Sequence, residues 1–201
     1  MLKKMLFTLA IMLLIPTISF AQQVYTVQPG DSMWKISVRY QVGLSEIISA
    51  NRQISNPAMI YPGQKITIPD ISASKNVEYR VIQLTNQERS KNGLKPLASD
   101  WQLSRVARYK SADMRDKNYF SHTSPTYGSP FNMMKNFGIS YRSAGENIAA
   151  GQRTPEEVVK AWMNSPGHRA NILNANYTHI GVGYASGGSY GHYWTQMFIA
   201  K

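Results

Sequence analysis

Hydrophobic and polar positions along the chain predict two consecutive blocks of secondary structure. In the first block, over 24–69, Tyr25 and Val27 alternate with polar residues as in a strand, and Ile66 and Ile68 repeat the pattern near its end. The Pro-Gly-Asp-Ser segment at 29–32 predicts a turn and a helix cap. Two short helices should follow, with apolar positions at Trp34, Ile36, Val38 and Tyr40 in the first and at Leu44, Ile47 and Ile48 in the second.

The second block opens with three predicted helices. The first covers 77–92, the second carries Leu103, Val106, Ala107 and Met114 on one face, and the third precedes a glycine. Their bounding residues are Gly93 for the first helix, Ser99 or Asp100 and Phe120 for the second, and Ser129-Pro130 and Gly138 for the third. The polar stretch at 70–76, DISASKN, is typical of a short linker between the two blocks.

A fourth helix has the clearest start signal. Thr154 stands at the N-cap, Pro155 at the first helical position, and Glu157 completes a capping box. This helix should end near Ser165, because the residue before a proline disfavours helical geometry. The Pro-Gly pair at 166–167 then predicts a sharp turn, which would place His168 on a tight corner.

Strand alternation returns over 177–184 and 193–199, on either side of a glycine-rich segment at 186–191. This arrangement predicts an antiparallel hairpin. Together with the helices before it, the hairpin predicts an α+β fold in which helices are layered on a central, mostly antiparallel sheet.

The first 21 residues resemble a secretory signal. Lys3 and Lys4 precede an apolar run over 5–18, and Ser19-Phe20-Ala21 supplies small residues at the expected cleavage site. We expect cleavage after Ala21 and no permanent membrane anchor, because the run is short and has no charged flank on its far side. No other segment of the sequence is apolar enough to predict a span.

Export changes how the charge and the cysteine count are interpreted. Loss of Lys3 and Lys4 lowers the 22 basic residues to 20, which against 11 acidic residues leaves the mature chain at +9. A basic exported protein meets anionic wall polymers and lipid surfaces, although a solvated basic surface without a dedicated partner is the alternative. No run rich in lysine and arginine and no nucleic-acid motif favours binding to nucleic acid. The absence of cysteine excludes disulfides, thiol nucleophiles and cysteine-ligated zinc.

Three residues carry most of the candidate chemistry. Glu146 stands among small residues that let neighbouring backbone approach, which favours an inward-facing acid. His122 lies in a polar loop after the second helix, and His168 on the predicted corner. Two histidines and a carboxylate are enough for a three-ligand zinc site with an open water position, if the fold brings them together. His168 could equally be a corner residue that hydrogen-bonds the backbone.

Other residues offer support or exclude chemistry. Asn147 and Gln196 could orient a ligand, although buried amides also satisfy backbone groups. His192 lies beside the glycine-rich turn and could reach the same cleft, whereas Tyr193 is expected to be a core aromatic near it. Neither a Gly-x-Ser-x-Gly elbow nor a His-Glu-x-x-His pair is present, which counts against serine esterases and ordinary zinc peptidases.

The first block resembles a LysM module. The resemblance rests on the opening Tyr25-x-Val-x-Pro-Gly-Asp-Ser, on Asn51, and on the closing Tyr61-Pro-Gly-Gln-x-Ile-x-Ile-Pro. It implies a βααβ fold that binds glycans containing N-acetylglucosamine, such as peptidoglycan or chitin. The implied groove is lined by Gly30, Asp31, Ser32 and Met33 on one loop and by Pro57, Met59, Ile60 and Tyr61 on the other. Ordinary packing is the alternative for Met33, Met59 and Ile60.

The second block resembles the bacterial branch of the CAP superfamily, which includes cysteine-rich secretory proteins, antigen 5 and pathogenesis-related proteins. The motifs are Asn86-x-x-Arg89, Gly93-Leu94-x-Pro96-Leu97, Ser121-His122-Thr123, Gly145-Glu146-Asn147, Ser165-Pro166-Gly167-His168-Arg169 and Tyr193-Trp194-Thr195-Gln196. The resemblance implies a three-layer α-β-α sandwich with a central cleft.

In animal and plant members of that superfamily, two histidines and two glutamates converge in the cleft and can bind a divalent metal. His122 and Glu146 match the first histidine and the first glutamate. No glutamate follows Trp162, and Tyr193 stands at the position of the second histidine. Half of the tetrad is therefore missing, and the bacterial Pro-Gly-His motif suggests that His168 takes over as a ligand.

These observations predict a signal peptide over 1–21, a LysM module over 22–69, a linker over 70–76 and a CAP domain over 77–201. We expect an exported protein of the cell wall or a spore layer that binds peptidoglycan and presents a cleft for a ligand or a divalent metal such as zinc. One alternative is a hydrolase of peptidoglycan or peptide, with Glu146 as general acid/base and with His122 and His168 binding metal or polarising water. The other is a structural wall or coat component with a vestigial cleft.

Overall fold

A computed structural model of the chain describes residues 23–201. The predicted signal peptide over 1–21 and its cleavage site lie outside the described residues. Within the described part, no helix is both long enough and apolar enough to cross a membrane.

The first module, over 23–69, is a small βααβ unit. Its elements are β1 (Val24–Thr26), α1 (Met33–Tyr40), α2 (Leu44–Ser49) and β2 (Lys65–Thr67). The two strands pair antiparallel, and Ser32 caps α1 by accepting a hydrogen bond from the backbone N–H of Lys35. Asn51 joins α2 to β2, because its amide donates to the carbonyls of Ile47 and Thr67 and accepts from the N–H of Thr67. The predicted order and cap are confirmed.

The second module contains five helices and four strands among the described residues. They are α3 (Ser72–Lys91), β3 (Ala98–Ser99), α4 (Trp101–Asp116), α5 (Pro130–Asn136), β4 (Ser143–Ala150), α6 (Pro155–Met163), α7 (Pro166–Ile172), β5 (His179–Ser186) and β6 (His192–Ala200). The sheet order is β3-β5-β6-β4. Strand β6 pairs antiparallel with both β4 and β5, and β3 adds a short parallel edge. Strand β4 is therefore an edge strand.

Helices cover both faces of this sheet. One core packs α3, α6 and α7 against the sheet and includes Val81, Val158, Trp162, Trp194 and Phe198. The other packs α4 and α5 against the opposite face and includes Leu103, Val106, Met133, Met197 and Ile199. The α+β class, the hairpin and the three-layer sandwich are thus confirmed.

The approach of α4 to β5 depends on two glycines. A Cβ atom on Gly181 would stand 2.4 Å from the carbonyl carbon of Leu103, and one on Gly183 would stand 2.1 Å from that of Ala107. Because no real Cβ tolerates such distances, these positions require glycine. The resulting contact holds α4, and the loop that follows it, close to the sheet.

The structure departs from the predicted elements at three places. Helix α3 begins at Ser72, so most of the predicted 70–76 linker is helical; Asp70 accepts a hydrogen bond from the Ser72 N–H and satisfies one donor there. Strand β4 was not predicted, because its SAGENIAA sequence lacks alternating large apolar residues. The sharp turn at 166–167 is wrong: Pro166 begins α7, where its missing N–H costs nothing.

The two modules contact each other directly. The Arg105 guanidinium lies 5.0 Å from the ring centre of Trp34, and the Tyr109 hydroxyl donates to the Glu46 carboxylate at 2.6 Å. Ser45 donates to the same hydroxyl at 2.7 Å. Burial, with the neighbouring Glu46, raises the pKa of Tyr109 to about 12. The first module is therefore packed on α4 rather than held away from it by a flexible linker.

Candidate functional site

Glu146 lies at the middle of edge strand β4, on the face of the sheet that α4 covers. Its strand partner is Met197, whose side chain belongs to the α4 core, and alternation directs Glu146 to the same face. Its carboxyl group is 1% exposed. The small neighbours are explained by close packing, since a Cβ on Gly145 would stand 2.5 Å from the Tyr177 hydroxyl. Glu146 is the inward-facing acid that the sequence predicts.

His122 meets Glu146 from the loop after α4. Its Nδ1 lies 2.7 Å from Glu146 Oε1, within a hydrogen bond, while the ring remains 53% exposed. The second oxygen, Oε2, is buried and has no hydrogen-bond partner among the described residues. The arrangement therefore exposes the imidazole edge of His122 and leaves one buried carboxyl oxygen of Glu146 without a hydrogen-bond partner.

Two buried polar residues of α4 fix the His122 loop. The Lys110 ammonium donates to the carbonyls of Ser121 at 2.7 Å and His122 at 2.9 Å. The Asp113 carboxylate, one turn along, accepts from the hydroxyls of Ser124 at 2.6 Å and of Thr126. The loop is thus held by its backbone and its small polar residues. None of these contacts uses the His122 ring, whose Nδ1 bonds to Glu146.

The electrostatics of the pair follow from burial. Burial raises the pKa of Glu146, although the hydrogen bond from His122 and the charge of Lys110 act in the opposite direction. Burial also lowers the pKa of Lys110. Burial alone would raise the pKa of Asp113, but its hydroxyl donors hold that pKa below the usual range. Glu146 is therefore the carboxyl group of the site most easily kept protonated.

His168 lies on α7, across β4 from the loop that carries His122. It is half-buried, and both that burial and the charge of His122 lower its pKa. His168 lies in a helix and not on the predicted corner, and its backbone carbonyl accepts a hydrogen bond from the Asn147 side chain at 3.1 Å. His168 therefore lies near the pair without a hydrogen bond to either member.

The three-ligand zinc site does not fit these donors. Within residues 23–201, no three histidine, aspartate or glutamate side chains converge closely enough to hold one metal ion. His122 Nδ1 and Glu146 Oε1 are engaged with each other, and His168 stands on a separate helix. The structure brings together the His122–Glu146 pair but not the expected set of three ligands.

Asn147 and Gln196 form a relay on the opposite face of the sheet from Glu146. Gln196 donates to the Thr85 hydroxyl at 2.8 Å, and Asn147 donates to Gln196 at 3.0 Å. Asn171 of α7 donates to the Asn147 side chain at 2.8 Å and to the Glu146 carbonyl at 3.2 Å. The relay fixes α7 and β4 relative to each other, and the orientation of a ligand by Asn147 and Gln196 stays a prediction.

His192 and Tyr193 lie away from the pair. His192 stands five residues along β6 from the partner of Glu146, a separation of about 16 Å along a strand. Its ring contacts Tyr184, whose hydroxyl lies 2.8 Å from His192 Nδ1. Tyr193 is fully buried with Met114 and Ile148. The possibility that His192 reaches the cleft is thus contradicted by the register, and Tyr193 is a core residue.

The two expected glycan-binding loops are neighbours in the first module. The end of β1 and the start of β2 pair at Thr26 and Lys65, so the loops at 27–32 and 57–64 lie side by side. Met59 and Tyr61 are exposed there, whereas Pro57 and Ile60 are half-buried.

The other loop presents backbone more than side chains. Asp31 accepts hydrogen bonds from Tyr25 and from the Gln28 N–H, Ser32 caps α1, and Met33 is buried in the module core. Gly30 is exposed in the turn with a φ of +82°, and its carbonyl accepts a hydrogen bond from the Lys35 ammonium at 2.7 Å. The burial of Met33 fits ordinary core packing and not a place in the lining of the glycan groove.

Sequence reasoning missed several site residues. Lys110 and Asp113 occupy buried positions of α4, on the helix face that the apolar residues define. Polar residues on a face predicted to be buried are the signal that could have revealed them. Asn171 and Thr85 carry no comparable signal, because only the fold brings α3 and α7 to β4 and β6.

Comparisons with known proteins agree with this architecture. A model of the cysteine-rich secretory protein family, abbreviated CAP, matches residues 82–198, and a LysM domain model matches residues 25–69. The crystal structure of an extracellular Bacillus anthracis protein containing an SCP domain is similar, with a TM-score of 0.59 and 36% identity over 70% of this chain and 47% of that one.

Two Bacillus subtilis proteins are similar in sequence. The uncharacterized protein YkwD is 70% identical over 124 residues, which cover 62% of this chain and 47% of YkwD. SpoIVD-associated factor A is 47% identical over 47 residues, which cover 23% of this chain and 12% of that protein. The chain spans about half the length, or less, of the curated relatives it matches.

Proposed function

The chain belongs to the cysteine-rich secretory protein (CAP) family and carries a LysM domain, and from this we propose that it is an exported protein of the cell wall or a spore layer. In this proposal, the LysM domain binds the N-acetylglucosamine glycan of peptidoglycan. The CAP domain binds a ligand at the cleft formed by His122 and Glu146. The match to a LysM domain model supports binding to this glycan. Export, the wall location and a ligand in the cleft are the further parts of the proposal.

Attachment to the wall is supported by the first module and by charge. Exposed Met59 and Tyr61 offer apolar surface to sugar rings, and the backbone of the adjacent turn at Gly30 offers hydrogen bonds to acetamide groups. The mature chain carries 20 basic and 11 acidic residues, an excess that favours anionic wall polymers. The spore coat assembly protein ExsA of Bacillus cereus is 42% identical to this chain over 50 residues, which supports a spore layer as one destination.

One observation carries the cleft proposal: a buried carboxyl oxygen of Glu146 has no partner in the described structure, beside a half-exposed His122 ring. An unsatisfied buried oxygen costs free energy unless a ligand or water completes it. The loop and relay hydrogen bonds hold this pair in place before any ligand arrives. A preformed site of this kind loses little entropy on binding.

A titration of the His122 ring nitrogens by NMR tests the cleft. We expect soluble peptidoglycan fragments to shift these signals saturably in residues 22–201, and His122→Ala to weaken binding, read at the Asn171 side-chain amide, by about tenfold. Glu157→Gln, at an exposed position of α6, is the matched control and should bind the fragments as the wild type does. His122 signals that do not change at high fragment concentrations would contradict ligand binding at the cleft.

A hydrolase is the second candidate, favoured by the raised pKa of Glu146. A protonated Glu146 could act as the general acid if substrate binding opens access to its buried carboxyl group, while Oε1 accepts from His122 Nδ1. His122 Nε2, facing the exposed side, would then accept a proton from the attacking water. Glu146→Gln keeps the shape and the hydrogen bond but cannot transfer a proton. It should therefore abolish turnover under this proposal while keeping the fold and the contact with His122.

A further inference from the structure

An exposed aromatic pair stands beside the cleft. Phe120 is 47% exposed and Tyr190 is 51% exposed, and their ring centres lie 6.1 Å apart. Phe120 is two residues from His122, so their Cα atoms are separated by at most about 7 Å. The two rings form an apolar surface next to the loop that carries His122, and we call this surface the aromatic platform.

The platform is held by defined contacts. Tyr190 packs edge-on against buried Tyr193, with ring centres 5.7 Å apart. The Ser189 hydroxyl donates to the side chain of Asn118, which joins the glycine-rich turn to the loop that carries Phe120. Gly187, Gly188 and Gly191 all have positive φ, and the Gly187 N–H donates to the Gly191 carbonyl at 2.8 Å. The turn is therefore shaped by the backbone and not left as a loose loop.

We propose that the aromatic platform binds a sugar ring of a peptidoglycan strand and is a subsite of the His122–Glu146 cleft. This inference rests on the proposed function, and it names the ligand class of the same site.

Three features favour a sugar over a lipid chain. The apolar surface is the size of two rings, and polar and charged residues stand next to those rings in the sequence: Ser189 before Tyr190, and Asn118 and exposed Lys117 before Phe120. A sugar presents one apolar face and a rim of hydroxyl groups, and the carboxylates of a wall strand complement a lysine. The same chain also carries a LysM domain, so the polymer to which it attaches would be present beside the cleft.

Binding of soluble disaccharide-peptide fragments of peptidoglycan to residues 22–201 tests the platform. The aromatic ¹³C–¹H signals of Phe120 and Tyr190 should move with the fragments and follow the same isotherm as His122. Phe120→Ala and Tyr190→Ala should each weaken binding, measured at His122, by about tenfold, and Tyr190→Phe should keep it. Phe131→Ala is the matched control, because Phe131 is 45% exposed on α5, outside the platform.

Three results would overturn the inference. If both alanine variants bind within twofold of the wild type while His122→Ala weakens binding, the platform takes no part and the proposed function stands. If no variant, including His122→Ala, changes binding, both fail. If the platform signals respond to phosphatidylglycerol vesicles and not to the fragments, the platform meets a lipid surface instead. Circular dichroism spectra that match the wild type establish that each variant is folded.

Discussion

At the scale of single residues, the site is built on polar groups that the protein buries. Glu146, Lys110 and Asp113 are all removed from water, yet each except one oxygen of Glu146 is satisfied by hydrogen bonds. Burying such groups is costly unless partners replace water. The arrangement is explained if these residues hold His122 in place for a ligand.

The raised pKa of Glu146 makes a prediction for stability. A carboxyl whose pKa is higher in the folded state stabilises that state fully below its ordinary pKa, and this contribution is lost as pH rises through the raised value. Relative to Glu146→Gln, the wild type should therefore lose unfolding free energy between pH 4 and pH 7. Urea denaturation at both values measures the difference. The same difference in unfolding free energy between the wild type and Glu146→Gln at both pH values would contradict the assignment.

Lys110 should be a positioning residue for the loop. Lys110→Met keeps the aliphatic volume but leaves the carbonyls of Ser121 and His122 without their donor. We expect the unfolding free energy to fall by about 2 kcal/mol and the His122 ring signals to broaden. Lys117→Met, at an exposed position after α4, should change neither. Sharp, unshifted His122 signals in Lys110→Met would show that the loop is held by other contacts.

At the scale of elements, close packing of α4 on β5 sets the depth of the site. The sequence predicts the helices with clear caps, such as α4 and α6, and the β5–β6 hairpin with its alternating residues. It does not predict β4, whose residues are small because neighbours crowd them, nor α7, which follows α6 after two residues. Glu146 and His122 could be identified from sequence, but their hydrogen bond depends on the fold.

Substitutions at two glycines should change the stability of the protein in opposite directions. Gly183→Ala would place a Cβ 2.1 Å from the α4 backbone, so we expect a loss of about 3 kcal/mol or more and displacement of α4. Gly167 lies in α7, and no atom lies within 4 Å of the place that an added methyl group would occupy, so Gly167→Ala should stabilise the protein by about 0.5–1 kcal/mol. Thermal unfolding of both variants measures these effects. Destabilisation by Gly167→Ala would favour the sharp turn over the helix.

At the scale of the whole molecule, the LysM and CAP domains form one packed unit. Trp34, Ser45 and Glu46 of the first contact Arg105 and Tyr109 of the second, and α3 follows β2 after four residues. The sequence predicts both domains from their motifs, but it does not predict this contact. The polar 70–76 stretch is typical of linkers, and only tertiary packing shows that it becomes helical.

This contact predicts that the two domains unfold together. Wild-type residues 22–201 should give one calorimetric transition, whereas the Trp34→Ala/Glu46→Ala double variant should give two, because the cation–π contact and the Tyr109 hydrogen bond are lost. Tyr61→Ala removes an exposed aromatic of the same domain and should keep the single transition. Two transitions in the wild type would contradict the packed arrangement.

The most direct test of the account is to incubate residues 22–201 with purified sacculi, and to measure protein in the pellet and wall fragments in the supernatant. Met59→Ala/Tyr61→Ala and Glu146→Gln are tested in parallel. We predict that the wild type and Glu146→Gln sediment with the sacculi without releasing fragments, and that a smaller fraction of the LysM double variant sediments, because only its CAP domain still binds the wall. Fragments that appear with the wild type and disappear with Glu146→Gln would contradict binding without turnover and establish a wall hydrolase.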